Sequence, residues 1–234
     1  MRQWRQQQFT FRTRGGKRRG AGRKSTRFRG AVPHSARPEH KKAHPVHITL
    51  RASRRLPSLR RQVVFLEIRR ALGRTARSWF RLVHFSVQTD HLHLLVEAAD
   101  KSSLSRGLMG LSIRVARAVN RTLKRTGRVW DDRFHARALT SPLEVRHAIV
   151  YVLMNAKKHL PAVPCVDPCS SAGCFTDWKI PPAQGPPSDR EASVTEAPQT
   201  WLLRAGWRRP SRPPYEPFWA SRWSSSFPCH ALRT

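Results

Sequence analysis

The residues with the most chemical potential lie in Asp90-His91-Leu92-His93-Leu94-Leu95-Val96-Glu97. Apolar residues recur through the run as in a β-strand, where successive side chains point to opposite faces. His91 and His93 then share one face with Leu95 and Glu97, while Leu92, Leu94 and Val96 fill the other. Two imidazoles so placed on a rigid strand can both reach one divalent metal ion. An isolated His-x-His pair is equally an ordinary feature of a half-exposed strand, so its meaning depends on what else the chain brings to it.

A second set of polar residues follows on a helix-length stretch. Tyr151 and Asn155 are one helical turn apart and share a face. His147 and His159 extend that stripe, and Ala148, Ile149, Val152 and Ala156 form a neighbouring apolar face that can dock on a sheet. The chain has only two tyrosines, and the other, Tyr215, sits in Pro-rich sequence. By itself a tyrosine near a helix centre is structural as readily as it is reactive.

The elements that must position these groups are readable from periodicity. Val46-His47-Ile48-Thr49-Leu50 predicts a first strand, and an apolar stripe of Leu59, Val63, Leu66, Ile68 and Leu72 predicts a helix running to about Ala76. Phe80 to Gln88 predicts a second strand. Thr89-Asp90 turns it into the histidine strand as an antiparallel hairpin. Asp100-Lys101-Ser102-Ser103 opens a long helix with a buried stripe of Leu104, Leu108, Leu111, Val115, Ala118 and Leu123, ending near Thr126 where Gly127 stops it. Val129 to Leu139 predicts a fourth strand. Ser141-Pro142-Leu143-Glu144 is a capping box that starts a last helix, running to about His159. The βαββαβ core so formed predicts an α+β fold, a ferredoxin-like antiparallel sheet with helices on one face, over residues 46–160.

Flanking this core are two segments of different character. Residues 1–45 are rich in Arg, Lys and Gly without apolar periodicity, and read as a flexible basic arm that tracks phosphates. Residues 161–234 hold 13 of the 18 prolines and five of the eight tryptophans, and read as an irregular Pro/Trp-rich extension whose tryptophans pack back on the domain. Net charge is +31, which makes a poor protein-binding surface but a good polyanion-binding one, with nucleic acid the default partner. The excess is not confined to the arm: residues 46–160 carry 23 Lys and Arg against 7 Asp and Glu. No run approaches the roughly 18 apolar residues of a membrane span. The first residues lack an apolar signal core, and the four cysteines form no disulfide framework, so a cytoplasmic, nucleoid-associated protein is expected.

In combination these motifs resemble the single-tyrosine HUH transposases, and among them the REP-associated tyrosine transposases. The resemblance spans roughly residues 44–160. It rests on His-Pro-Val-His-Ile-Thr at the first strand, Asp-His-Leu-His-Leu-Leu-Val at the third, Trp-Asp-Asp-Arg-Phe-His at the fourth, and Tyr-Val-Leu-Met-Asn on the last helix. It implies a metal-dependent endonuclease and strand transferase acting on single-stranded DNA beside a hairpin, as a monomer or a homodimer. Tyr151 matches the family's nucleophile, His91 and His93 its metal-binding histidines, and Asn155 a third, amide ligand. Relatives frequently follow this asparagine with proline, where Ala156 stands here.

Imidazole nitrogens and an amide oxygen suit Mg2+ or Mn2+ with open positions. Attack by the phenol would leave a 5′-phosphotyrosyl link and a free 3′-OH. For the DNA backbone the expected contacts are Arg114, Arg117 and Arg121 on the long helix, Arg133 and Arg137 on the fourth strand, and Lys157 and Lys158 on the last helix. Charge alone is served as well by a non-catalytic nucleic-acid binder. A zinc site on Cys165, Cys169 and Cys174 has spacings unlike those of paired Cys-x-x-Cys ligands.

Overall fold

The computed structural model describes residues 38–159, 166–178 and 194–208, and the side chains of 157–159 are outside that description. Its core is a four-stranded antiparallel sheet built from β1 (Val46–Arg51), β2 (Phe80–Val87), β3 (His91–Ala98) and β4 (His135–Ala138), in the order β2-β3-β1-β4. The helices are α1 (Gln62–Gly73), α2 (Lys101–Thr122) and α3 (Pro142–His159), followed in the extension by a short α4 (Trp201–Arg204).

The hairpin forms as expected: Gln88 N–H donates to the His91 carbonyl at 2.8 Å, and Val87 lies opposite Leu92. A register shift between Leu82 and His84 adds one residue to β2, so that Phe85 and Val87 return to the face of Leu82 while Val83 packs on the other. That irregularity matters, because both faces of this sheet are covered. Leu92, Leu94 and Val96 of β3 pack with Ile48 and with the inner stripes of α1 and α2, whereas Leu95 and Val83 pack with α3 and the extension. The expectation of helices on a single face is therefore corrected. The face of β3 that carries Leu95 with the histidines and glutamate lies under α3 and the extension.

Three elements end elsewhere than periodicity suggests. In α1 the buried residues are Val64, Phe65, Ile68, Ala71 and Leu72, and Val63 and Leu66 face outward. The stripe that docks is displaced from the expected one by a single position at its start. The long helix α2 stops at Thr122, because Lys124 takes a left-handed φ of 47° and Gly127 continues the turn at 95°. Asp100 caps its other end by accepting the Ser103 N–H at 2.7 Å. The fourth strand is shorter than Val129–Leu139. Trp130 makes an isolated bridge to Ala52, and the chain then breaks through Asp131–Phe134, where Asp132 Oδ1 accepts the Arg133 N–H, before β4 begins at His135.

One glycine is required by close packing. A Cβ on Gly107 of α2 would lie 2.3 Å from the Phe80 ring, so the helix meets β2 here through bare backbone.

The capping box of α3 forms with a shift. Ser141 Oγ accepts the Glu144 N–H at 3.3 Å, but the Glu144 carboxylate reaches past the cap to the Thr140 N–H (2.8 Å) and hydroxyl (2.9 Å), and to Arg137 (2.8 Å). Partial burial pushes that carboxyl upward. The hydrogen bonds from Thr140 and Arg137 outweigh it and bring the pKa down to about 2.

The extension is part of the fold. Along the outer edge of β2, Val87 N–H donates to the Cys169 carbonyl (2.8 Å), Phe85 N–H to Ser171 Oγ (3.0 Å), and Glu196 N–H to the Leu82 carbonyl (2.8 Å). An edge strand left open would present unpaired backbone groups. Arg60 grips Asp167 through both nitrogens (2.9 and 2.7 Å), with Asp167 buried. Trp178 and Trp207 are fully buried and pack with Phe175 and the apolar side of α3. The packing expected of the tryptophans holds for these two; Trp201 is half exposed. At the other terminus, residues 38–45 do not behave as a free arm: His40 bonds the Ala98 carbonyl at 3.0 Å and Lys101 pairs with Glu39 at 2.7 Å. The rest of the basic arm lies outside the described residues.

Two outcomes follow for stability. Trp207→Ala empties a fully buried site under α3 and is expected to cost about 3–5 kcal/mol in urea unfolding. Glu144→Gln is expected to cost about 1 kcal/mol at neutral pH. Because the folded carboxyl titrates lower than the unfolded one, that contribution is present above pH 4.5 and lost as pH falls toward 2. Melting curves of the two proteins should accordingly converge in acid.

Candidate active site

The sheet and α3 bring three histidines and the helix tyrosine together. Alternation along β3 places His91 and His93 on the α3 face, with ring centroids 4.6 Å apart and nearly perpendicular. The register of β1 sets His47 opposite Leu95 and Thr49 opposite His93, on the same face. Tyr151 reaches down from α3 and meets two of these rings edge-on, at 5.0 Å from His93 and 5.7 Å from His47. His47 lies 5.2 Å from His93 between centroids.

The nitrogens are held by neighbours of different kinds. Asp90 Oδ1 lies 2.7 Å from His91 Nδ1. A carboxylate can only accept there, so His91 carries a proton on Nδ1, and the tautomer that offers Nε2 as a lone pair is the one this contact favours in the neutral ring. Burial pushes the Asp90 carboxyl up, but the His91 hydrogen bond and the charge of Arg51 bring it below its ordinary value. His93 Nδ1 faces two partners, His47 Nε2 and Thr49 Oγ1, both at 3.2 Å. Burial, reinforced by the positive charges of His135 and Arg137, lowers the His47 pKa to about 4, so its ring is neutral at physiological pH. Burial also raises the Tyr151 phenol above its ordinary range, which leaves it protonated there.

Asn155 is fully buried on α3, and neither Oδ1 nor Nδ2 of its amide has a hydrogen-bond partner. Leaving buried amide atoms unmatched costs about 1–3 kcal/mol per group. Among the described residues no three His, Cys, Asp or Glu side chains are grouped to hold a metal ion. A cation at this site would have to draw on the two imidazoles of β3 and an amide such as that of Asn155. Burial pushes the Cys169 thiol up to about 11, so it stays protonated, and Cys165 lies outside the described residues.

The basic residues expected along a DNA path divide by layer. Arg137 sits opposite His47 in the β1–β4 register, on the face of the histidines, largely exposed and paired with Glu144. Arg133 precedes β4 in the irregular break. Arg114, Arg117 and Arg121 belong to α2, whose apolar stripe packs on the opposite face of the sheet. Arg114 is moreover half-buried, donating to Thr75 Oγ1 at 3.3 Å, and its burial lowers its pKa. It is not the solvent-facing cation that its position on the stripe suggested. The side chains of Lys157 and Lys158 are outside the described residues.

His47 was not singled out from sequence. The signal was available in Val46-His47-Ile48-Thr49, where alternation puts His47 and Thr49 on one face, but nothing local shows that this face meets His93.

Among the described residues no helix is long and apolar enough to cross a membrane. No curated protein matches the chain. Among solved structures the chain is similar to a REP-associated tyrosine transposase bound to a REP hairpin, at 19% identity and a TM-score of 0.46, covering 55% of this chain and 75% of that one. His47, His91, His93 and Tyr151 all fall within residues 40–152, the span in which the chain is similar to the family model of IS200-like transposases.

Proposed function

We propose that the protein is a metal-dependent single-stranded DNA endonuclease and strand transferase that uses Tyr151 as nucleophile at sites next to a DNA hairpin. The observation that carries this reading is the packing of the Tyr151 ring 5.0 Å from the His93 ring, with His91 beside it. The match of residues 40–152 to the family model of IS200-like transposases and the net charge of +31 support the same reading.

In the proposed reaction the Tyr151 oxygen attacks the scissile phosphorus. A phenolate O–P bond forms as the P–O3′ bond breaks, and the phenol proton is balanced by protonation of the departing 3′ oxygen. The 5′-phosphotyrosyl link keeps the energy of the diester, so a later 3′-OH can reverse the step and join a different strand. His91 and His93, with the Asn155 amide, are the residues that would hold Mg2+ or Mn2+. The fit rests on the Nε2 lone pair that the Asp90 contact favours on His91 and on a buried amide without protein partners. Bound there, the cation supplies charge to polarise the scissile phosphate. Covering by α3 buries the His93 ring and leaves His91 and Tyr151 partly exposed, and charge interactions with a phosphate in such a half-buried site would be stronger than in bulk water. Arg137, exposed on the same face, is placed to bear on the DNA backbone. The α2 arginines, across the sheet, would serve a longer DNA segment or none.

Incubation with labelled hairpin-bearing single-stranded DNA and Mn2+ is expected to yield a protein–DNA adduct that survives a denaturing gel. Tyr151→Phe should abolish the adduct while changing hairpin affinity by less than about twofold. If the wild type forms no adduct with metal present yet binds the hairpin, the protein is a basic nucleic-acid binder without cleavage activity. Metal dependence has its own measurement. Chelation with EDTA should stop adduct formation, Mn2+ should restore it, and His91→Ala should slow it on the order of 100-fold even at saturating Mn2+.

A further inference from the structure

Four residues beyond His93 on the same face of β3, about 13 Å along the strand, Glu97 is 4% exposed. Its two oxygens are occupied. Oε2 accepts the Gln199 N–H (2.8 Å), and Oε1 accepts the Thr200 N–H (2.8 Å) and hydroxyl (2.7 Å). These bonds fix residues 199–204 of the extension beside the end of the sheet. Between them, residues 42–43 and the 78–81 approach to β2 lies a cavity of about 690 Å3. Sites for small molecules span roughly 300–1,000 Å3. Lys42, Trp79 and Arg81 fall within residues 40–152, whereas Gln199, Thr200 and Arg204 lie beyond that span. The cavity thus depends on the extension, and no residue of the ring cluster lines it.

Its lining is cationic and aromatic. Lys42, Arg81 and Arg204 surround it together with Trp79, and Glu97 is the one carboxylate among the lining residues. That carboxylate is committed to the three donors of Gln199 and Thr200. Arg81 pairs with Glu196 at 3.1 Å. Lys42 and Arg204 are exposed and make no ion pair among the described residues. Arg106 lies over the Trp79 ring at 5.1 Å. Cations held beside an aromatic ring suit a nucleotide, whose phosphate takes the charges and whose base takes the ring. A bare phosphate would leave the ring idle. We propose that this cavity is a second DNA subsite that holds one nucleotide of the strand entering the ring cluster, with its phosphate on Lys42 and Arg204 and its base against Trp79. This rests on the reading of the protein as acting on single-stranded DNA. At about 3.4 Å of axis per nucleotide in one strand, the separation from His93 is on the order of four nucleotides.

The test is a series of hairpin-bearing oligonucleotides whose single-stranded flank grows one nucleotide at a time. Affinity should rise about fivefold or more once the flank reaches the cavity. In the double variant Lys42→Ala/Arg204→Ala, long and short flanks should bind alike. The slope of log affinity against log salt for the long flank should flatten by roughly 0.7 per lost phosphate contact. Both side chains are exposed, so the double variant should keep the wild-type circular dichroism spectrum and melting temperature. An abasic unit at the step position should weaken wild-type binding about fivefold or more, and should cost nothing further in Trp79→Leu. Flat affinity across the flank series overturns the proposal, as does a step that persists in the double variant. A free deoxynucleoside monophosphate that binds the wild type and not the double variant, with no flank step, assigns the cavity to free nucleotide and overturns its place on the strand. Binding is read here without cleavage. A flank step without any covalent adduct supports the subsite and counts against the Tyr151 chemistry alone.

Discussion

The structure depends on a central strand that is buried on both faces while carrying polar residues on one of them. Along β3, Leu92, Leu94 and Val96 fill the core shared with α1 and α2, and the alternate positions hold His91, His93, Leu95 and Glu97 under α3 and the extension. Burying polar groups is costly unless each finds a partner. The partners here come from distant parts of the chain. His93 meets His47 and Thr49 across β1, and Glu97 accepts the Gln199 N–H (2.8 Å) and the Thr200 N–H (2.8 Å) and hydroxyl (2.7 Å). His91, at the open end of the strand, leans on its neighbour Asp90. Burial also raises the phenol of Tyr151.

That face is closed from outside the sheet. The helix bearing Tyr151 and Asn155 is gripped on its far side by Trp178, Leu202, Leu203 and Trp207. The segment that supplies them is anchored by Arg60–Asp167 at one end and by Glu97 at residues 199–200 at the other. Proline-dense sequence cannot form ladders of its own, but it lends single N–H and C=O groups to the edge of β2 and single aromatic rings to the underside of α3. The extension thereby determines how firmly the tyrosine helix sits on the histidine strand, although it contributes no atom to the ring cluster.

Charge is organised by layer more than by position along the chain. The arginines of α2 and the histidine cluster are separated by the sheet itself, and Arg137 shares the face of the cluster through its pairing opposite His47. Net charge gives a protein affinity for polyanions in general. On the side of the site, Arg137 acts both toward solvent and on the Glu144 cap of α3.

The sequence by itself determined whatever depends on neighbours a few residues apart. It set the alternation that puts His91 and His93 on one side of β3, the buried stripe of α2, the Asp100 and Ser141 caps, and the turn pairing of Tyr151 with Asn155, because strand and helix periods are properties of the local backbone. Tertiary structure alone decided what depends on register and layering between distant segments. It put His47 against His93, placed a helix over the polar face of β3, drew the tryptophans of the extension beneath α3, and sent the α2 arginines to the far side of the sheet. The physical reason is that periodicity specifies which residues share a face. Which two faces meet is settled by how the whole chain buries its apolar surface.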